Sequence, residues 1–87
     1  MTTPLRTMLV DDEPRGLNSM EKLLEMNCPE VNIVASCNSV DSAIEKIAQL
    51  DPDLIFLDIA MPVKNGFDLL KETKDPRFEV IFVTAYN

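Results

Sequence analysis

The chain has no histidine and no tryptophan. Without an imidazole there is no Ser-His-Asp triad, no Cys-His dyad and no histidine-bearing zinc site. Its two cysteines, Cys28 and Cys37, lack C-x-x-C spacing and lie in or beside an apolar segment, which reads as two reduced, buried thiols. Its two glycines, Gly16 and Gly66, belong to no G-x-G-x-x-G fingerprint and no P-loop. Gly16 reads as a close-packing site in a helix, and Gly66, after Asn65, as a loop-turning residue. Positive charge is also scarce, with 8 Lys and Arg against 15 Asp and Glu and a net charge of −7. That is the wrong sign for a phosphate-backbone reader, so no direct nucleic-acid or anionic-membrane binding is expected of this segment, whereas a cation or a basic partner surface is favoured. Met1–Val10 carries Arg6 and no apolar run long enough for a signal peptide or a membrane span, which points to a cytoplasmic protein.

What is present fits one small domain of 87 residues, 46% hydrophobic and 26% charged. Aliphatic and β-branched blocks begin at Thr7, Val31, Leu54 and Glu79, at nearly even steps. Leu54–Leu57 and Val80–Val83 are unbroken apolar runs, as in strands covered on both faces. Helical periodicity separates the blocks. Pro14 suits a first turn, and Leu17, Met20 and Leu24 share a face in a helix ending near Asn27. Asn38 or Ser39 can cap a second helix with a Val40, Ala43, Ile44, Ile47, Ala48 stripe, ending before Asp51-Pro52. A third, shorter pattern runs from Phe67 through Leu70. Met20, Met26 and Phe67 are core candidates. The order β-α-β-α-β-α-β predicts a doubly wound parallel α/β sheet.

In such a sheet, ligands bind at the carboxyl ends of the strands. Asp11, Asp12 and Glu13 directly follow the first block, and Asp58 follows the third. If the first and third strands are neighbours, Asp11, Asp12 and Asp58 crowd one pocket, and two like charges about 5 Å apart repel by roughly 3 kcal/mol at an effective dielectric near 20. An all-oxygen site suits a hard divalent ion, Mg²⁺ above others, with Asp12 and Asp58 as direct ligands and Asp11 partly through water. The plainer role for Asp11 or Asp12 alone is to cap the helix that begins at Pro14. A carboxylate beside Mg²⁺ is also a competent nucleophile for phosphoryl transfer, and Asp58 is placed for it. The Thr84 hydroxyl and the Ala85 backbone N–H, following the fourth block, can point toward a phosphoryl group there, although a lone strand-end threonine is usually a turn residue.

Leu9-Val10-Asp11-Asp12-Glu13-Pro14, then Phe56-Leu57-Asp58-Ile59-Ala60-Met61-Pro62 with Asn65-Gly66, then Val83-Thr84-Ala85-Tyr86, resemble the receiver domain of bacterial two-component response regulators. The Asp-Glu-Pro and Thr-Ala-Tyr-Asn segments are most similar to receivers that precede a LytTR-type DNA-binding domain. The resemblance implies a flavodoxin-like (CheY-like) fold, with Asp58 accepting a phosphoryl group from the phosphohistidine of a sensor histidine kinase. It further implies a Mg²⁺ site formed by Asp11, Asp12, Asp58 and the Ala60 backbone carbonyl, and a switch pair of Thr84 and Tyr86. A complete receiver continues with a fifth strand bearing a lysine and further helices. Residues 1–87 therefore read as a C-terminally incomplete receiver with strand order 2-1-3-4, whose fourth strand is an open edge prone to self-association. Lys64, in the loop after Asp58, reads as a solvated lysine rather than a replacement. The alternatives are a flavodoxin-like metal-binding interaction module or non-switching fragment, and a haloacid-dehalogenase-like phosphohydrolase. The hydrolase needs a second acid where Ala60 stands.

Overall fold

The first apolar block is a central strand. In the computed structural model of the chain, which describes residues 4–58 and 77–83, β1 (Leu5–Val10) pairs in parallel with β2 (Val31–Cys37) on one side and β3 (Leu54–Asp58) on the other. Flanked and covered in this way, Thr7, Met8, Leu9 and Val10 are fully buried. β4 (Glu79–Val83) pairs with β3, giving the order β2-β1-β3-β4 expected from the sequence. β1 starts two residues before its apolar block. The Leu5 N–H donates to Glu30 O at 2.7 Å and Arg6 is in register with Asn32, so pairing continues where the side chains are no longer buried.

Two helices connect the first three strands. α1 (Pro14–Asn27) opens with Pro14 in its first turn and buries Leu24, with Leu17 and Met20 half-buried. Met26 is 80% exposed, against the expectation that it joins the core. Two residues beyond Leu24, it points about 200° around the helix, to the solvent side. α2 (Val40–Leu50) is capped by Ser39, whose hydroxyl accepts from the Ser42 N–H at 3.1 Å, and Asp41 complements the helix dipole in the first turn. Val40 and Ala43 are buried, Ile44 and Ile47 half-buried, while Ala48 is exposed. Met8, Val10, Ile55 and Leu57 meet Cys37, Val40 and Ala43 in one buried cluster. Thr7 and Leu9, alternating with them along β1, point to the opposite face.

α2 ends in an unusual tie. Asp51 is left-handed (φ 48°), a conformation costly for most residues but tolerated by aspartate. The Arg6 guanidinium donates to the carbonyls of Leu50 and Asp51, two of the acceptors a helix end leaves without partners. The Arg6 backbone completes the clamp: its N–H donates to Asp53 Oδ2 at 2.9 Å and its carbonyl accepts from the Asp53 N–H at 2.8 Å. This fastens the amino end of the sheet, opposite the acids.

The two outer strands of the described sheet differ. In β2 one extra residue, Val34, enters between the partners of Thr7 and Met8, a bulge that blunts an edge. The apolar run of β4 is not covered on both faces: Ile81 is 45% and Phe82 40% exposed, whereas Val80 packs against the core. The third helical pattern, with Gly66 and Phe67, and the Met61-Pro62 and Lys64 loop lie outside the described residues. No helix among those described is long and apolar enough to cross a membrane. Replacing the fully buried Ile55 by alanine should cost about 3 kcal/mol, and Met26→Ala less than about 0.5 kcal/mol. Midpoints of urea unfolding check both.

Candidate functional site

Strand register brings the acids together. Val10 stands opposite Leu57 across the β1–β3 pair, so the next residue on each strand is an aspartate, Asp11 and Asp58. Asp58 ends β3 and is half-buried. Asp11 continues the line of β1, its N–H donating to Cys37 O at 3.0 Å, and is only 9% exposed. Asp12 follows, half-buried. Carboxylate oxygens of Asp11, Asp12 and Asp58 lie within 4.8 Å of one another, and among the described residues no other group of acids or thiols converges so closely.

The backbone that starts α1 also holds Asp11. Its Oδ1 accepts from the Glu13 N–H at 2.9 Å, a tight local turn ahead of the helix. The capping role weighed for Asp11 is met only in this local form. The residue at the cap is Glu13, which is exposed and whose side chain caps nothing. Gly16, in the first turn of α1, lies directly against Asp11: a Cβ there would stand 2.2 Å from Oδ2. Reading the sequence identified Gly16 as a packing residue but not its partner. The available signal was a glycine in a helix interior, where its low propensity calls for a compensating contact.

Burial raises the Asp11 carboxyl above its ordinary value of 3.8; the Glu13 N–H opposes this, and Asp58, by charge and by hydrogen bonding, and then Asp12 reinforce it. At 4.8 Å two full charges repel by roughly 3 kcal/mol at an effective dielectric near 20. The donor set fits a hard divalent cation. It is all oxygen, from three carboxylates, the ligand type that Mg²⁺ prefers. Neither cysteine competes as a ligand. Both are free; Cys37 is buried, as expected, with its thiol pushed up by that burial, while Cys28 is half-buried. Val83 is in register with Asp58, so β4 runs up to the acid cluster. Ala60, Thr84, Ala85 and Tyr86, the remaining site residues read from the sequence, lie outside the described residues.

Known proteins share this sequence pattern and fold. The family described as response regulator receiver domain matches residues 7–87. The sensory transduction protein LytT of Bacillus cereus is 37% identical over 86 residues, covering 95% of this chain and 34% of that protein. An uncharacterized response regulatory protein of Vibrio cholerae is 38% identical over 91 residues, covering 100% of this chain and 34% of its own length. The solved structure of the isolated REC domain of RcsB from Salmonella enterica serovar Typhimurium matches with a TM-score of 0.83 at 27% identity, covering 98% of this chain and 64% of that one. The chain thus spans about a third of the length of the LytT and Vibrio cholerae proteins.

The raised Asp11 carboxyl gives a pH dependence of known sign. The folded state keeps this proton to higher pH than the unfolded chain does. Asp11's contribution to stability is therefore full below its unfolded value and is lost as pH rises through the raised folded value. Asp11→Asn retains an acceptor for the Glu13 N–H but cannot ionise. In a chelator, its stability relative to wild type should grow as pH rises across that window and then level off; urea unfolding at a series of pH values measures this.

Proposed function

The chain belongs to the response regulator receiver domain family, and from that premise we propose that residues 1–87 belong to one receiver unit in which Asp58 is the phosphoacceptor. The observation that carries this reading is the convergence of Asp58 with Asp11 and Asp12 at the carboxyl ends of β1 and β3. An Asp58 carboxylate oxygen attacks the phosphorus of a phosphohistidine on a sensor histidine kinase. A new O–P bond forms as the P–N bond breaks, the imidazole leaves and takes up a proton, and Asp58 becomes an acyl phosphate.

Asp11, Asp12, Asp58 and the Ala60 backbone carbonyl would hold Mg²⁺. When bound, that ion supplies positive charge against which phosphoryl oxygens and carboxylates can crowd. Asp11, fixed by the Glu13 N–H, holds its carboxylate beside Asp12 and Asp58 without a search over rotamers. Thr84, through its hydroxyl, and Ala85, through its N–H, contact the phosphoryl group, and Tyr86 changes its seating as Thr84 moves. Their position just after Val83, which is in register with Asp58, supports this assignment. The REC domain of RcsB was solved in the presence of the phosphomimetic BeF₃⁻, which supports a phosphorylated aspartate as the active form here as well.

The chemistry is self-phosphorylation and autodephosphorylation rather than turnover of an external substrate. The similarity to LytT proteins supports control of a transcriptional output domain by this unit. With a net charge of −7, DNA contact belongs to such an output domain and not to this segment. Free Cys28 and Cys37 support placement in the reducing cytoplasm. Exposed Ile81 on the outer strand β4 supports self-association of this 87-residue chain through that edge.

With acetyl phosphate and Mg²⁺ the chain should gain the mass of one phosphoryl group, and the gain should vanish in Asp58→Ala and with chelator. No gain under any condition would favour a metal-binding module without phosphoryl chemistry. Sedimentation should show concentration-dependent association that Ile81→Lys weakens severalfold; unchanged association would remove β4 as the contact.

A further inference from the structure

Gly16 occupies an ordinary helical position in α1 and is not among the residues with positive φ, so its backbone does not require glycine. Glycine is also the poorest helix former after proline, which makes its presence there costly without a compensating role. What the missing side chain provides is room. A Cβ at this position would lie 2.2 Å from Asp11 Oδ2, 3.0 Å from its Cγ and 3.5 Å from Oδ1, and the first of these separations excludes any side chain while Asp11 stays where it is.

Asp11 has little freedom to give way. It is 9% exposed, its Oδ1 is held by the Glu13 N–H at 2.9 Å, and its own N–H is held by Cys37 O at 3.0 Å. We infer that Gly16 is a positioning residue whose absent side chain fixes the place of the Asp11 carboxylate relative to Asp12 and Asp58, and thereby sets the pocket's affinity for a divalent cation. The inference rests on the reading of the three carboxylates as a Mg²⁺ site. It adds that the site depends on a residue in the first turn of α1 with no side-chain donor atom of its own.

The test is a double-mutant cycle of wild type, Gly16→Ala, Asp11→Ala and the double variant. Each is titrated with Mg²⁺ by calorimetry and melted in chelator. Gly16→Ala should weaken Mg²⁺ binding at least fivefold, whereas the same change in the Asp11→Ala background should alter it less than twofold. In chelator, alanine at 16 should raise the melting temperature only where Asp11 is absent, because only then does the helix gain come without displacing a carboxylate. A Gly16→Ala protein that fails to fold while the double variant folds supports the contact. Failure of both places the clash elsewhere and overturns it. Wild type that binds Mg²⁺, with Gly16→Ala indistinguishable from it, overturns this inference alone. Wild type without Mg²⁺ affinity overturns the metal-site reading and the affinity claim together, leaving the melting cycle to decide whether Gly16 and Asp11 exclude each other.

Discussion

Parallel pairing of β1 with β3 in one register sets two aspartates side by side at the end of the sheet. Nothing in the local chemistry of Asp11 or Asp58 favours this. Two carboxylates a few ångströms apart in a partly buried pocket repel, and the Asp11 carboxyl is raised first by its burial and then further by Asp58 and Asp12. The pairing is dictated instead by burial: Met8, Val10, Ile55 and Leu57 are fully withdrawn from solvent, and a slip of one residue would turn the side chains of the slipped strand to the opposite face of the sheet. The hydrophobic core thus holds the acids in an arrangement they would not choose, a cost that a bound cation would relieve.

Such a site needs firm support away from its own charges. At the opposite end of the sheet, Arg6 ties β1 to the end of α2 and to Asp53. Beside the site, the Glu13 N–H and the room left by Gly16 hold Asp11 in its place. Local preference and function conflict at both positions where support is given. Asp51 adopts a left-handed conformation beside Arg6, 45 positions away in the chain, and Gly16 stands in the first turn of α1 against Asp11, five residues before it.

Most of the architecture was legible in the sequence because it rests on patterns that one dimension carries. Evenly spaced apolar blocks, a Ser39 cap and the Asp51-Pro52 stop located four strands and two helices, and acids abutting apolar runs located the pocket. The features that escaped are those requiring two distant residues to meet. The Arg6 clamp spans 45 positions to Asp51, and the Val34 bulge depends on how β2 aligns with β1. Gly16 could be read as packed, but its partner could not be read at all. Met26 misled for a simpler reason: apolar character was taken as burial, whereas its angle around α1 turns it to solvent.

The central claim, that folding gathers Asp11, Asp12 and Asp58 into one cation pocket, is tested most directly by mapping a paramagnetic ion. Substoichiometric Mn²⁺ should broaden the backbone amide resonances of Asp11, Asp12 and Asp58 first, and excess Mg²⁺ should restore them. Broadening centred elsewhere, as at Glu21 and Glu25 where α1 meets β2, or broadening that Mg²⁺ leaves unchanged, would contradict it.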